Sequence, residues 1–375
     1  MTGPEAAASA AAALERANQQ QENWSHRSGQ LRFGIFGNGM PEALIAASGA
    51  MPVHLSMGIT TEHHPIEAVI EPFVDEEVRH FLIRLMRGDF AKLSGIIFAR
   101  DDAPALIAYQ YATEWIRQGL DRAATPPLFL WNLVHTTSGP VQNFNRIQAD
   151  KLFSFLAEAG GSYPEEADLA KAALMEARRR TALQQLQASV GQSLSGATAA
   201  IWRNAGRFMG AEEHAGLLTA ALETPPEPLP SGVRIGLVGS PLACTRTYRM
   251  IEQFGTVVAD QQPFGQMWPG PVGDATRLDE ILKVTAADPS CPRITPTSAY
   301  RAALVQSLRD ANCTLVVCQL AQTDDTFGWE LPALFAELAH HGIDCINLGF
   351  RDARPDDTWL EQAARLISHK LEAHK

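Results

Sequence analysis

Arg32-Phe-Gly-Ile-Phe-Gly-Asn-Gly and Arg234-Ile-Gly-Leu-Val-Gly-Ser-Pro open in nearly the same way, in two distant parts of one 375-residue chain. Each is a short apolar run closed by glycine, which reads as a buried parallel strand followed by a tight turn. Downstream of each lies a second apolar run, Ser94-Gly-Ile-Ile-Phe-Ala and Cys313-Thr-Leu-Val-Val-Cys, leading to the acidic pairs Asp101-Asp102 and Asp324-Asp325. Ligands of open α/β sheets bind beyond the carboxyl ends of the strands, so both halves are expected to aim carboxylates at a cleft. Function is therefore expected between two related halves.

Outward from these runs, strands and helices alternate. Pro41 to Gly49 reads as a helix with proline in its first turn and glycine near its end, and Met51-Pro-Val-His-Leu as the next strand. Helical periodicity follows over Glu76–Gly88 and Ala103–Gly119, with strands at Ile96-Ile-Phe and Pro127 to Leu133. The second half repeats the pattern: strands at Val233–Gly239, Thr256–Ala259, Leu315–Leu320 and Asp344–Leu348, and helices at Thr247–Phe254, Thr297–Ala311, Glu330–His341 and Asp356–Lys375. Alternation of this kind implies mostly parallel sheets, an α/β protein with two Rossmann- or flavodoxin-like lobes. Between them, amphipathic helices such as Pro164–Val190 read as a helical middle segment. The expected organisation is an Ala-rich arm over residues 1–30, a frayed helix or a disordered segment; a first α/β lobe over 31–145; a helical domain over 146–223; a Pro-rich linker over 224–232; and a second lobe with a terminal helix over 233–375.

Bulk properties narrow the function. A net charge of -11 disfavours nucleic acid or an anionic membrane as the main partner. No apolar run approaches the roughly 20 residues that span a bilayer, and Glu5 and Glu15 interrupt the alanines where a secretion signal would be basic and then apolar, so a cytoplasmic protein is expected. The five cysteines, Cys244, Cys291, Cys313, Cys318 and Cys345, form no disulfide or metal pattern and read mostly as small buried residues.

Among local motifs, Gly34, Gly37 and Gly39 miss the G-x-G-x-x-G register because Glu42 holds its last position. His63-His64 and His340-His341 are adjacent pairs whose side chains diverge on a helix. His135 follows a strand in a loop that faces the expected cleft, and it is a candidate for ligand contact. The aspartates fit either capping positions or a site for a hard divalent cation or acid/base chemistry.

Met40-Pro-Glu-Ala-Leu-Ile-Ala-Ala-Ser-Gly-Ala-Met-Pro-Val resembles the P-E-E-L-I-x-A-A-G-x-x-P-V signature of the 2-hydroxyacyl-CoA dehydratase and benzoyl-CoA reductase family, D-component subunits. The second half resembles it through Arg234 to Pro241, Ile251 to Asp260 with Gly265 beyond, Cys291-Pro-Arg, Arg301, Glu330-Leu-Pro and His341-Gly-Ile. The resemblance implies a subunit of a heterodimer in which a cysteine-bound [4Fe-4S] cluster takes an electron from an ATP-driven activator and passes it to an acyl-CoA thioester. The three positions where the family places those cysteines hold Asp75, Asp101 or Asp102, and Asp324 or Asp325. Clusters are ligated chiefly by soft thiolates, so no cofactor is expected on this chain and a [4Fe-4S] cluster is expected on a homologous partner subunit. The expected role is a cluster-free subunit that binds an acyl-CoA thioester and supports that partner. The alternatives are a stand-alone carboxylate enzyme with a divalent metal, and a non-catalytic acyl-CoA-binding or regulatory protein. Candidate catalytic residues are Asp75, Asp102, Asp324 and His135; candidate substrate contacts are Gly39, Met40, Ser240 and Gly265.

Overall fold

A computed structural model describes residues 3–19, 29–55, 60–100, 103–120, 125–224, 227–242, 245–262 and 275–372, without the side chains of Asp325 and Thr326. Asp101, Asp102, Cys244 and Gly265 lie outside the described residues.

The first half runs α1 (Gly3–Gln19), β1 (Arg32–Phe36), α2 (Glu42–Ala46), β2 (Met51–His54), α3 (Glu76–Met86), β3 (Gly95–Ala99), α4 (Ala103–Arg117) and β4 (Leu128–Trp131). Four helices follow: α5 (Gly139–Glu158), α6 (Glu166–Ser189), α7 (Gly196–Ala205) and α8 (Ala211–Leu222). The second half runs β5 (Arg234–Gly239), α9 (Thr245–Ile251), β6 (Thr256–Asp260), α10 (Leu278–Ala286), α11 (Thr297–Asp310), β7 (Leu315–Ala321), α12 (Asp325–His340), β8 (Asp344–Arg351) and α13 (Asp357–Glu372).

The strands form two all-parallel four-stranded sheets with the orders β2-β1-β3-β4 and β6-β5-β7-β8. These are one topology used twice, as the paired openings at Arg32 and Arg234 predict. In each sheet the order reverses beside the first strand, which opens a crevice at the carboxyl ends of β1 and β3 and of β5 and β7.

The central strands β1, β3, β5 and β7 are buried on both faces, and their side chains alternate between two cores. In the first sheet Phe33, Ile35 and Ile97 enter one core with Leu44, Trp131, Leu152 and Phe153, whereas Phe36, Ile96 and Phe98 enter the other with Phe81, Leu82 and Phe90. In the second, Val238, Val316, Cys318 and Leu320 pack on α11 and α12, and Ile235, Leu237, Leu315 and Val317 pack on α7, α9 and α13.

The helices between the sheets feed these same cores. α5 and the start of α6 join the first lobe through Ala149, Leu156 and Leu169, the end of α6 contributes Leu183 and Leu186, and α7 touches the second lobe through Ala197 and Ala200. α10, a helix not anticipated from sequence, returns from the second half and inserts Ile281, Leu282 and Ala286 into the first lobe's core.

Two expectations are refined. Residues 3–19 form the helix of the two expected alternatives, and it packs on α7 and α8. Its buried stripe, Ala7, Ala10 and Leu14, follows the helical repeat, but alanine offers too little apolar area for that stripe to stand out in sequence. α12 begins at Asp325, five residues before the expected Glu330, because Asp324 accepts from Phe327 N at 3.0 Å and caps it, which leaves Pro332 inside the helix.

Leu14 is fully buried, so Leu14→Ala is expected to lower the unfolding free energy by about 2–4 kcal/mol. Urea denaturation reads this directly; a loss below about 0.5 kcal/mol would mean that α1 is not part of the folded core.

Candidate functional site

Gly239 ends β5 with φ +108, and a Cβ there would lie 1.9 Å from the carbonyl oxygen of Gln319 on β7. Only glycine lets the two strands approach this closely at the point where the chain turns out of the sheet. The turn delivers Ser240, whose N donates to Gln319 O at 3.0 Å and whose hydroxyl donates to Asp324 Oδ2 at 2.6 Å while accepting from Ala321 N at 2.8 Å. Beneath it, Gln319 Nε2 donates to the Ser240 carbonyl and to Gln262 Oε1, and Arg351 donates to Gln319 Oε1 and the Pro241 carbonyl. The loops after β5, β7 and β8 are thereby fixed relative to one another.

The first lobe approaches from the other side. Asp75 caps α3 by accepting from Glu77 N at 2.8 Å, and its second oxygen accepts from Thr323 Oγ1 of the opposite lobe at 2.5 Å. Glu76 Oε2 accepts from Ala353 N at 2.9 Å, a second bond across the gap. Arg207, on a single 3-10 turn after α7, donates to Asn38 Oδ1 at 2.6 Å and closes the base.

These elements enclose a cavity of about 590 Å³ into which the carboxyl ends of both sheets open. Its size is that of a small-molecule site. Gly37 and His54 line it from the first sheet, Ser240 and Asp324 from the second, and Glu77, Arg207, Tyr300 and Arg351 complete its polar wall.

Three of those side chains carry unusual chemistry. Burial and the neighbouring Asp75 push the Glu77 carboxyl up to about 8, against the opposing pull of Arg351 and Arg207, so at neutral pH it is mostly a protonated acid. Tyr300 is 6% exposed, its hydroxyl has no hydrogen-bond partner among the described residues, and burial raises its pKa, so it faces the cavity as a neutral phenol. Burial lowers the pKa of His54, which donates from Nε2 to Glu42 Oε1 at 2.7 Å as a neutral ring.

The acidic candidates take capping roles. Asp75 and Asp324 each cap a helix, and both oxygens of each carboxylate are already hydrogen bonded. Among the described residues no group of three or more His, Cys, Asp or Glu is placed to hold a metal ion. Gly39 and Met40 do not line the cavity: Met40 is buried in the first lobe's core, since the residue before Pro41 seats the short α2 on the sheet. Ser240 lines the cavity. His135 is buried away from it, with Nε2 3.6 Å from Cys291 Sγ. Asp101, Asp102 and Gly265 lie outside the described residues, as does the side chain of Asp325.

The sequence that builds this cleft has a counterpart among known families. The family described as 2-hydroxyglutaryl-CoA dehydratase, D-component, matches residues 38–366. The chain belongs to that family. No curated protein matches the chain individually. The match takes in every strand but β1 and most of the cleft's lining, so the D-component family supplies the frame in which the cleft's residues are to be understood. Hydrogen-bonded carboxylates at positions 75 and 324 do not fit an iron-sulfur cluster, which takes thiolates. No described helix is long and apolar enough to cross a membrane.

Glu77, Arg207, Tyr300 and Arg351 were not singled out in the sequence. Asp75-Glu-Glu reads there as ordinary acidic dressing of a helix start, and nothing local marks the other three.

The raised Glu77 fixes the sign of a pH effect. Its carboxyl binds a proton more tightly folded than unfolded, so its contribution to stability is present below its unfolded pKa of about 4.5 and is lost as pH rises through about 8. Glu77→Gln is therefore expected to stabilise the protein by about 1–2 kcal/mol near pH 9 and by nothing measurable near pH 5. Thermal unfolding at the two pH values checks it; an equal effect at both would place the carboxyl in water.

Proposed function

We propose that this chain is a cluster-free subunit of a 2-hydroxyacyl-CoA dehydratase or benzoyl-CoA reductase-like complex, which binds an acyl-CoA thioester in the cleft and supports a cluster-bearing homologous partner. The observation that carries the reading is the convergence of both sheets' strand ends on one cavity, at which the described cluster positions are carboxylates occupied as helix caps. Family membership supports a dehydratase-type subunit.

The cleft's own residues suit a thioester. The protonated Glu77 and the unpartnered Tyr300 hydroxyl are donors for a carbonyl oxygen, and Arg207 and Arg351 favour negative charge developing there. At neutral pH Glu77 can also hand its proton to a leaving hydroxyl, which a carboxyl near its ordinary pKa would do poorly. Gln319 and Asp324 work at one remove, through Ser240.

Titration calorimetry with a short-chain acyl-CoA is expected to give 1:1 binding, abolished by Glu77→Trp, which fills the cavity while circular dichroism reports an intact fold. Binding that survives this change would move the acyl-CoA elsewhere. Iron and sulfide analysis of the pure chain is expected to find neither in stoichiometric amount, and co-expression with a cysteine-complete homologue is expected to yield a co-purifying pair. A stoichiometric cluster on this chain alone would overturn the cluster-free reading.

A further inference from the structure

Outside the cleft, the seam between the lobes holds a pair that the proposed function does not use. Cys291 Sγ lies 3.6 Å from His135 Nε2, two residues far apart in sequence and contributed by opposite halves of the chain. That distance is within hydrogen-bonding reach for sulfur, with the thiol as donor and the imidazole nitrogen as acceptor.

Both partners are held in place. Asn145 accepts from Val134 N at 2.9 Å and donates to Val134 O at 3.0 Å, which pins the backbone next to His135. Cys291 sits in a turn closed by its own N to Asp288 O at 3.1 Å and by Ile294 N to Cys291 O at 3.0 Å. The His135 ring is 6% exposed and packs against the Thr285 backbone near Asp288 and Arg293 with Nε2 turned to the sulfur, whereas the cysteine itself is half-buried.

The other described cysteines differ. Burial pushes the Cys313 and Cys318 thiols up to about 12, and Cys345, half-buried like Cys291, is pushed up to about 11 and donates to the Ile343 carbonyl at 3.7 Å. Such thiols are poor nucleophiles, because the thiolate is the reacting form. Cys291 alone among the described cysteines faces a base.

We propose that Cys291 and His135 form a reactive thiol–imidazole pair, a modification site at which small disulfides exchange with the Cys291 thiol. Burial keeps His135 below the usual imidazole range, so the ring is neutral at pH 7 and Nε2 is free to accept the thiol proton. As that proton moves to Nε2, Sγ attacks one sulfur of the disulfide. A mixed disulfide forms on Cys291, the old S–S bond breaks, and the departing thiolate takes the proton from His135. The nearby Asp288 carboxylate favours the imidazolium passed through on the way, against a smaller opposing effect of Arg293. Pro292 and Arg293, the next two residues, line the cleft, so a group attached at Cys291 pushes on the cleft's wall and couples thiol redox state to ligand binding.

The test is a time course with oxidised glutathione on the full folded chain, read by peptide mass mapping, with Cys345 as the internal control. Cys291 is expected to be labelled at least about tenfold faster than Cys345, and His135→Gln to slow Cys291 by about tenfold while leaving Cys345 unchanged. Equal labelling of the two cysteines in the unaltered protein, or a Cys291 rate untouched in a folded His135→Gln protein, overturns the proposal. Should His135→Gln unfold the chain, Cys345 labelling accelerates with it, and the rate ratio in the unaltered protein decides the matter.

Discussion

Arg179 reaches from the middle of α6 into the first lobe and donates to Glu42 at 3.0 Å, both side chains being under one-tenth exposed. His54 donates to the other oxygen of the same carboxylate, and Glu176 takes a further bond from Arg179. Burial alone would push Glu42 up, but Arg179 and His54 outweigh it and hold the carboxyl at about 2, fully ionised in a dry interior. Buried charges are tolerated only when each is answered, and removing one member strands the rest at a cost of about 3–5 kcal/mol. This pair therefore fixes α6 against α2. The α6–α8 layer in turn carries Arg207 to the cleft and touches the second sheet through α7. That contact, the α10 insertion and the Asp75–Thr323 and Glu76–Ala353 bonds together set the relative placement of the lobes.

With the lobes so placed, the cleft's chemistry follows from electrostatics. Two capped helices start at its rim, and their capping aspartates are tied to the opposite lobe and to the turn after β5. A third carboxyl, Glu77, is left among them, partly buried with Asp75 beside it, so it keeps its proton. The Tyr300 hydroxyl, buried and without a partner among the described residues, is a donor waiting for a ligand.

Much of the frame was legible in the chain. The strand runs at Arg32, Gly95, Arg234 and Leu315 are continuous apolar segments, which a sheet covered on both faces demands, and the strand orders repeat as the two openings imply. Errors and open alternatives fell where local signals were weak. α1 has a stripe of alanines, α10 is nine residues after a stretch without periodicity, and the start of α12 depends on one aspartate choosing to cap. Met40 shows the same limit from the other side: a residue at a strand end by position turned inward, since the turn's direction is set by what α2 packs against.

The sequence by itself determined two parallel sheets, their shared topology, the family and the fact that the expected cluster positions hold aspartates, because apolar periodicity and residue identity are local properties. Tertiary structure alone decided what those residues do. Asp75 meets Thr323, Ser240 meets Asp324, Glu42 meets Arg179 and His135 meets Cys291 only in the folded chain. Loss of solvent around Glu77 likewise has no trace in the one-dimensional chain. Proton affinity depends on which charges and how much water surround a group in three dimensions, and residues far apart in sequence supply both.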